Sequence, residues 1–261
     1  MFSKKWIELL NEVQNFQEKT FDNKIWFRGQ NNAVFSLNSG LYRVALNDKM
    51  DYLKLERSAY TYYLRSGATL HNEDNWELLF IMQHHGVRTR LLDWSESFTV
   101  ALYFACLDWK YDQNDCVVWL LDPIKLNLHS AGKDMLFAPG KSVNHYLDFI
   151  NPNDPKIFNT SVALFPIENN PRIIAQQGHF TMQGIDNMPL EKEFEGELFN
   201  LNVLKTIRIT KDLKEDAFKY LKLNGLSHSS LFPDLDGLAM DTNKMLDEKQ
   251  KKIIDSYLIE A

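Results

Sequence analysis

The segment WFRGQ, residues 26–30, combines side chains that are suited to binding an anion. Arg28 follows two large aromatic residues and precedes Gly29. A guanidinium can bind a phosphate or a carboxylate through two parallel hydrogen bonds, and a glycine lets a ligand approach the backbone closely. The pattern therefore indicates a candidate anion site. The alternative is a surface arginine in a structural ion pair.

A second group of polar side chains lies in MQHHGVRTRLLDWSESFTVALYFAC, residues 82–106, between two apolar segments. Such a concentration of charged and aromatic residues is typical of a site rather than of a connection. Arg90 and Asp93 could pair, and Trp94 could stack on a base or a nicotinamide ring. Ser95 could contact a ligand or cap the following helix, and the sequence leaves both roles open.

The adjacent histidines His84 and His85 raise the question of a metal site. Neighbouring residues on a helix point about 100° apart, so the two rings do not chelate one ion easily. The zinc-binding spacings HxxxH and HExxH are missing from the sequence. We therefore expect no metal.

Two further segments carry amides and carboxylates. In QQGHF, residues 176–180, Gln177 offers a donor and an acceptor for a ribose hydroxyl or an amide, with a solvated strand face as the alternative. His179 is expected to be structural. In EKEFEGEL, residues 191–198, the glutamates alternate and would share one solvated face of a strand.

The elements that must position these residues follow from the spacing of apolar side chains. The patterns predict helices at 4–19, 50–66, 73–85 with Asp74 as N-cap, 98–109, 214–225 and about 240–258. They predict strands at 24–30, 116–123, 171–184 with a bend at Gly178, and 204–210. Residues 86–97 would be irregular or a short strand, and 124–170 a mixture of short helix and loop.

Composition limits the class of protein. The 261 residues include 44% hydrophobic and 13% aromatic residues, and the net charge is −6. These values predict one α+β domain over residues 1–261, with helices around a small, mostly antiparallel sheet. We expect a cytoplasmic protein, because the sequence has two cysteines, no apolar stretch of about 18 residues and no signal peptide. The excess of acidic over basic residues argues against a nucleic-acid-processing enzyme, because contacts to phosphate supply most of the affinity of such proteins.

Several common enzyme motifs are missing. The sequence has no GxGxxG, GxxxxGK[ST] or GxSxG pattern. A Rossmann dinucleotide site, a P-loop and a hydrolase nucleophile elbow therefore lose most of their support.

The motifs together resemble the FRG domain family, which is named for Phe-Arg-Gly, here residues 27–29. The matching pieces are WFRGQ, LYR, WELLFIMQHHGVRTRLLDWSESFTVALYFAC, VWLLDP, RIIAQQGHF and LFPDLDG, and they occur in the family's order over about residues 20–240. Arg88 stands where the family usually has a proline.

A weaker resemblance to ADP-ribosyltransferases of the Arg-Ser-Glu type implies a split sheet and NAD⁺ as substrate. Arg28 with Gly29 resembles the first element of that type, and residues 92–95 followed by 101–105 resemble the second. Gln177 falls where the catalytic glutamate is expected. Because an amide cannot ionise, Asp93 or Glu195 would supply the charge, or the fold would bind a nucleotide without cleaving it.

This resemblance implies a role for each candidate residue. Arg28 would bind phosphate, Asp93 would provide charge and Gln177 would contact the ribose. Gly29 would present its backbone to the nicotinamide, while Trp94 or His85 would contact the ring or the base. The residues implied to bind NAD⁺ are Phe27, Arg28, Gly29, Gln30, His85, Arg90, Trp94 and Ser95.

The function expected from the resemblance is modification of a macromolecular acceptor, protein or nucleic acid, in a bacterial or phage toxin or anti-phage defence system. A regulatory partner protein would fit such a system, and no membrane partner is expected. The alternative is a non-catalytic nucleotide- or peptide-binding module of a defence system that uses the same cleft for recognition.

Overall fold

Six strands form one sheet in the computed structural model, which describes residues 1–139, 145–168 and 170–259. The strands are β1 (Trp26–Gln30), β2 (Leu91–Ser95), β3 (Cys116–Leu121), β4 (Val162–Leu164), β5 (Gly178–Met182) and β6 (Leu204–Ile209). Their order is β4-β5-β2-β1-β3-β6, and neighbouring strands are antiparallel. The predicted α+β class is confirmed.

Helices surround the sheet. They are α1 (Lys4–Gln17), α2 (Lys49–Ser66), α3 (Asn75–His84), α4 (Phe98–Cys106), α5 (Pro123–Ala131), α6 (Tyr146–Phe149), α7 (Pro171–Ala175), α8 (Lys214–Leu223), α9 (His228–Leu231) and α10 (Leu235–Ile259). Within the described residues, no helix is both long and apolar enough to cross a membrane.

The sheet divides at its centre. Every residue of β1 pairs with β3, and every residue of β2 pairs with β5. Between β1 and β2, by contrast, the register of the described strands contains one pair, Phe27 with Ser95. The sheet therefore consists of two halves, β4-β5-β2 and β1-β3-β6, which diverge where the candidate residues lie.

One core cluster packs α1, α4 and α8 against β1, β3 and β6. Helix α1 buries Trp6, Leu9, Val13 and Phe16 at the spacing of a helix face. Helix α4 lies so close to β1 that a Cβ atom on Gly29 would be 1.8 Å from the carbonyl oxygen of Ala101. The glycine of the FRG sequence is therefore required by helix packing, because any side chain there would collide with the α4 backbone.

A second cluster packs α3 and α6 against β2, β4 and β5. At its edge a buried ion pair joins Arg90 to Glu56, with 2.7 Å between Nε and the carboxylate oxygen Oε2. The hydroxyl of Tyr146 donates to the other carboxylate oxygen. This hydrogen bond offsets part of the cost of removing the two charges from water.

Three sequence predictions differ from the structure. Residues 171–175 form α7 rather than a strand, because Pro171 begins a helix whose N-cap, Asn170, accepts from the backbone N–H of Ile173. The mixed segment 124–170 contains β4, which the sequence did not reveal; its positions 140–144 and 169 lie outside the described residues, as do positions 260–261 of the predicted domain. The last helix begins at Leu235, earlier than predicted.

The segment 191–198 is also not a strand. Residues Leu190–Gly196 form a kinked 3₁₀ segment in which Phe194 and Glu195 have positive φ angles. Glu193 is buried, whereas Glu195 and Glu197 are exposed, so the three carboxylates do not share a solvated face.

Candidate functional site

A cavity of about 540 Å³ lies where the two halves of the sheet diverge. It is bounded by β1, the end of β2, the start of β5, helices α4 and α7, and the segment after α9. Six phenylalanines contribute to its wall: Phe27, Phe35, Phe80, Phe104, Phe180 and Phe232. We call it the aromatic cavity. Its volume lies within the range typical of small-molecule sites, roughly 300–1,000 Å³.

Arg28 spans the gap between the diverging strands. Its Nη1 donates to the main-chain carbonyl of Asp93 at 2.6 Å and lies 3.6 Å from the carboxylate oxygen Oδ2. Its Nε is buried and has no hydrogen-bond partner among the described residues. Burial lowers the pKa of Arg28, which Asp93 opposes. An unsatisfied buried donor on a cation favours a bound anion, because the anion would supply the missing acceptor.

Asp93 faces the same cavity and is fixed by a neighbour. Nε2 of Gln83 donates to both of its carboxylate oxygens, at 3.1 and 3.0 Å. Thr89 in turn donates to Oε1 of Gln83, which fixes the orientation of that amide. The side chain of Asp93 is 56% exposed, so its carboxylate, which Gln83 holds in place, is accessible to a ligand in the cavity.

A further cation, Arg172, lines the aromatic cavity. The guanidinium of Arg172 stacks over Phe232 at 4.6 Å from the ring centroid. Its Nη1 donates to the carbonyl of His84 at 3.4 Å, and its Nη2 lies 3.6 Å from Asp234. Burial lowers the pKa of His84, and the nearby Arg172 acts in the same direction. The ring is therefore held toward its neutral form.

Residues 23–114 match the family model of the FRG domain. The matched segment includes β1, β2 and α4, and with them both Arg28 and Asp93. No curated protein and no solved structure matches the chain.

Seven of the predicted site residues line the aromatic cavity: Phe27, Arg28, Gly29, Gln30, Asp93, Trp94 and Ser95. Several of them are already engaged by the protein. Gln30 donates to the carbonyl of Ser36 and accepts from the indole of Trp119. Trp94 is only 3% exposed and its indole donates to Thr181, so little of the ring is available for stacking.

Phe27 and Ser95 serve mainly the packing of this region. Phe27 is buried and meets the ring of Phe98 edge to face. The hydroxyl of Ser95 donates to the carbonyl of Gln176 and accepts from the backbone N–H of Ser97. The N-cap of α4 is Ser97, so helix capping, one of the two roles left open for Ser95, belongs to the serine two residues later.

His85 and Arg90 do not contribute to the wall of the aromatic cavity. His85 is exposed at the end of α3, and His84 lines the cavity instead. Arg90 is fully buried and pairs with Glu56, so the suggested pairing with Asp93 was wrong.

Gln177 is exposed and also lies outside the wall, as does Glu195. A φ angle of 46° at Gln177 precedes β5, and its carbonyl accepts from the N–H of Glu96. Gln176 lines the cavity in its place, and its side chain donates to the carbonyl of Leu231. The guanidinium and the carboxylate therefore converge as predicted, but the predicted amide does not.

His179 lines the cavity as a packed side chain. Its ring stacks on Trp26 with 4.6 Å between centroids, and its Nε2 lies 3.1 Å from a carboxylate oxygen of Glu96. Burial lowers the pKa of His179, which Glu96 opposes.

Sequence reasoning missed Arg43, Gln83, Gln176 and Arg172 as cavity residues. Each lies within or beside a motif that was recognised, but the motif alone does not reveal which of its polar side chains faces the cavity. The described part of the chain has no group of three or more His, Cys, Asp and Glu side chains that could hold a metal ion.

Proposed function

We propose that this chain binds NAD⁺ in the aromatic cavity and transfers its ADP-ribose to a macromolecular acceptor. The observation that carries the proposal is the pair Arg28 and Asp93, opposite charges side by side at a cavity with aromatic walls. Arginine suits the diphosphate of NAD⁺, and phenylalanine rings suit its nicotinamide and adenine rings.

The chemistry requires an anion near the reacting carbon. Cleavage of the bond between nicotinamide and ribose passes through an oxocarbenium-like state, as glycoside cleavage does. A carboxylate that is already oriented stabilises the developing positive charge without having to reorganise. Asp93, held by Gln83, is suited to that role. The acceptor nucleophile would then attack the ribose carbon as nicotinamide leaves.

A second candidate function is nucleotide binding without cleavage. Two observations favour it: Gln177 lies outside the cavity wall, and Asp93 is already bonded to an amide. This alternative predicts saturable binding of NAD⁺ with no release of nicotinamide. A role in a toxin or in anti-phage defence belongs to the same proposal and rests on the resemblance of the motifs alone.

The test is incubation of the purified protein with NAD⁺ and cell extract, followed by mass spectrometry for nicotinamide and for ADP-ribose adducts. We expect Asp93→Asn to lower transfer by about 100-fold, the effect typical of removing one electrostatic contact to a transition state. We expect Arg28→Gln to weaken NAD⁺ binding by about tenfold or more.

Two variants serve as controls. Gln177→Ala alters a polar side chain outside the cavity wall, and Arg65→Gln removes an exposed charge on α2. Both should retain transfer, and thermal unfolding should show that every variant is folded. Transfer that is unchanged in both the Arg28 and Asp93 variants would refute the site. Binding of NAD⁺ without nicotinamide release by the wild-type protein would favour the second function.

A further inference from the structure

A second cavity, of about 560 Å³, adjoins the aromatic cavity. The two share the wall residues Arg28, Arg43, Gln83, Gly86 and Asp93. The second cavity also includes Arg88, and its wall contains none of the phenylalanines that line the first. We call it the arginine cavity. The two cavities therefore adjoin: Arg28 and Arg43 lie at their shared boundary, the phenylalanines lie only in the aromatic cavity, and Arg88 lies only in the arginine cavity.

The wall of the arginine cavity is strongly cationic for a protein of net charge −6. Arg28, Arg43 and Arg88 contribute three guanidinium groups, and Asp93 contributes the one carboxylate, which leaves a net charge of +2. A concave surface with charges of one sign concentrates the field and attracts ions of the other sign.

The local fold brings Arg43 and Arg88 onto adjacent segments. The backbone N–H of Leu41 donates to the carbonyl of Thr89 at 2.9 Å, which ties the two segments together. Gly40 packs so closely against Arg88 that a Cβ atom added at Gly40 would be 3.4 Å from the Cα atom of Arg88. Nε of Arg43 donates to the carbonyl of Asn38, which orients that side chain.

These arginines lack anionic partners in the described part of the chain, where neither Arg43 nor Arg88 forms an ion pair. Arg43 is close enough to Arg28 that its charge contributes to lowering the pKa of Arg28. Like charges that face a common cleft repel each other, and an anion between them removes that cost.

We propose that the arginine cavity is a diphosphate site, in which Arg43 and Arg88 bind the phosphates of a nucleotide whose rings occupy the aromatic cavity. Arg28, at the boundary, contacts the same diphosphate from the other side. This inference rests on the proposed function for the identity of the nucleotide. The choice of phosphate follows from the wall, since several guanidinium groups suit a ligand with more than one negative charge.

The test is isothermal titration of NAD⁺, nicotinamide riboside and inorganic pyrophosphate into the wild-type protein and the double variant Arg43→Gln/Arg88→Gln. Nicotinamide riboside keeps the ring and one ribose but has no phosphate. The matched control is Arg65→Gln/Arg208→Gln, which makes the same change in net charge at exposed positions outside both cavities. Thermal unfolding should show that both variants are folded.

We expect the double variant to bind NAD⁺ at least about tenfold more weakly, while its affinity for nicotinamide riboside and all affinities of the control stay unchanged. Equal NAD⁺ affinity in the wild-type protein and the double variant would overturn the diphosphate site and leave the proposed function intact. If the wild-type protein binds pyrophosphate through Arg43 and Arg88 but not NAD⁺, the diphosphate site is supported and the proposed function fails. If it binds neither ligand, both are overturned.

Discussion

Glu193 should make the stability of this protein fall as the pH rises. The residue is 3% exposed, and its carboxylate accepts hydrogen bonds from the backbone N–H and the hydroxyl of Ser161. Burial nevertheless raises the pKa of Glu193 from 4.5 to about 7, and the nearby carboxylates Asp186 and Glu191 act in the same direction. The folded protein therefore binds this proton more tightly than the unfolded chain does.

The sign and the size of the effect follow from this difference. Stability from the protonated carboxyl is fully present below pH 4.5, the ordinary pKa, and is lost as the pH rises through about 7. A pKa shift of one unit corresponds to about 1.36 kcal/mol, so the shift of Glu193 from 4.5 to about 7 corresponds to about 3 kcal/mol of unfolding free energy. Most of that interval lies between pH 5 and pH 8, so we expect a loss of about 2–3 kcal/mol across this range.

The test is urea unfolding of the wild-type protein and Glu193→Gln at pH 5 and pH 8. The amide of Glu193→Gln cannot ionise but keeps an oxygen that accepts a hydrogen bond from Ser161. The free energy of unfolding of the variant, relative to that of the wild-type protein, should therefore rise by about 2–3 kcal/mol from pH 5 to pH 8. Glu195→Gln is the matched control, because it changes an exposed carboxylate of the same segment. If the difference in unfolding free energy between the wild-type protein and Glu193→Gln is the same at both pH values, the reasoning is refuted.

Two further predictions concern the close packing at Gly29 and the buried ion pair of Arg90. Gly29→Ala should destabilise the protein by about 1–3 kcal/mol or more in thermal unfolding, because α4 must move away from β1. The control Gly178→Ala should destabilise it less, because the added methyl group meets only ordinary van der Waals contacts. Equal losses of stability in the two variants would contradict this prediction. Arg90→Gln should cost about 3–5 kcal/mol in urea unfolding, because it leaves the buried carboxylate of Glu56 without its cation. The exposed Arg88→Gln should change stability little, and an equally small loss for Arg90→Gln would show that the buried pair is not needed.

The helices and strands with a clear apolar period were predicted to within a few residues. Helix α1 repeats its apolar residues every three or four positions, and β3 is a continuous buried run. In both cases local sequence and tertiary burial favour the same element.

The failures occur where segments are short. Helix α7 has five residues and β4 has three, so neither is long enough to show a period. Strand β4 exists because its residues pair with β5 and thereby complete one edge of the sheet. That pairing depends on residues elsewhere in the chain, which a local pattern does not contain.

The candidate site was predicted in part for a similar reason. Arg28 and Asp93 lie in distinctive motifs, and the structure brings them together. Arg43 and Arg172 face the cavity only because separate segments fold around it. The amide was misplaced by one position: Gln177 lies at a left-handed turn and Gln176 faces inward. A side chain's direction at a turn depends on backbone angles that the spacing of residues does not give.

The divided sheet has a consequence for how the molecule unfolds. Strands β1, β3 and β6 come from the beginning, middle and end of the chain; β2 lies between β1 and β3 in sequence, and β4 and β5 lie between β3 and β6. No single cut of the backbone can therefore release either half as a continuous piece. Although few backbone hydrogen bonds join the halves, neither has a sequence of its own with which to fold independently. Melting should accordingly occur in one cooperative step, and a protease that cleaves a connecting loop should leave no stable half behind.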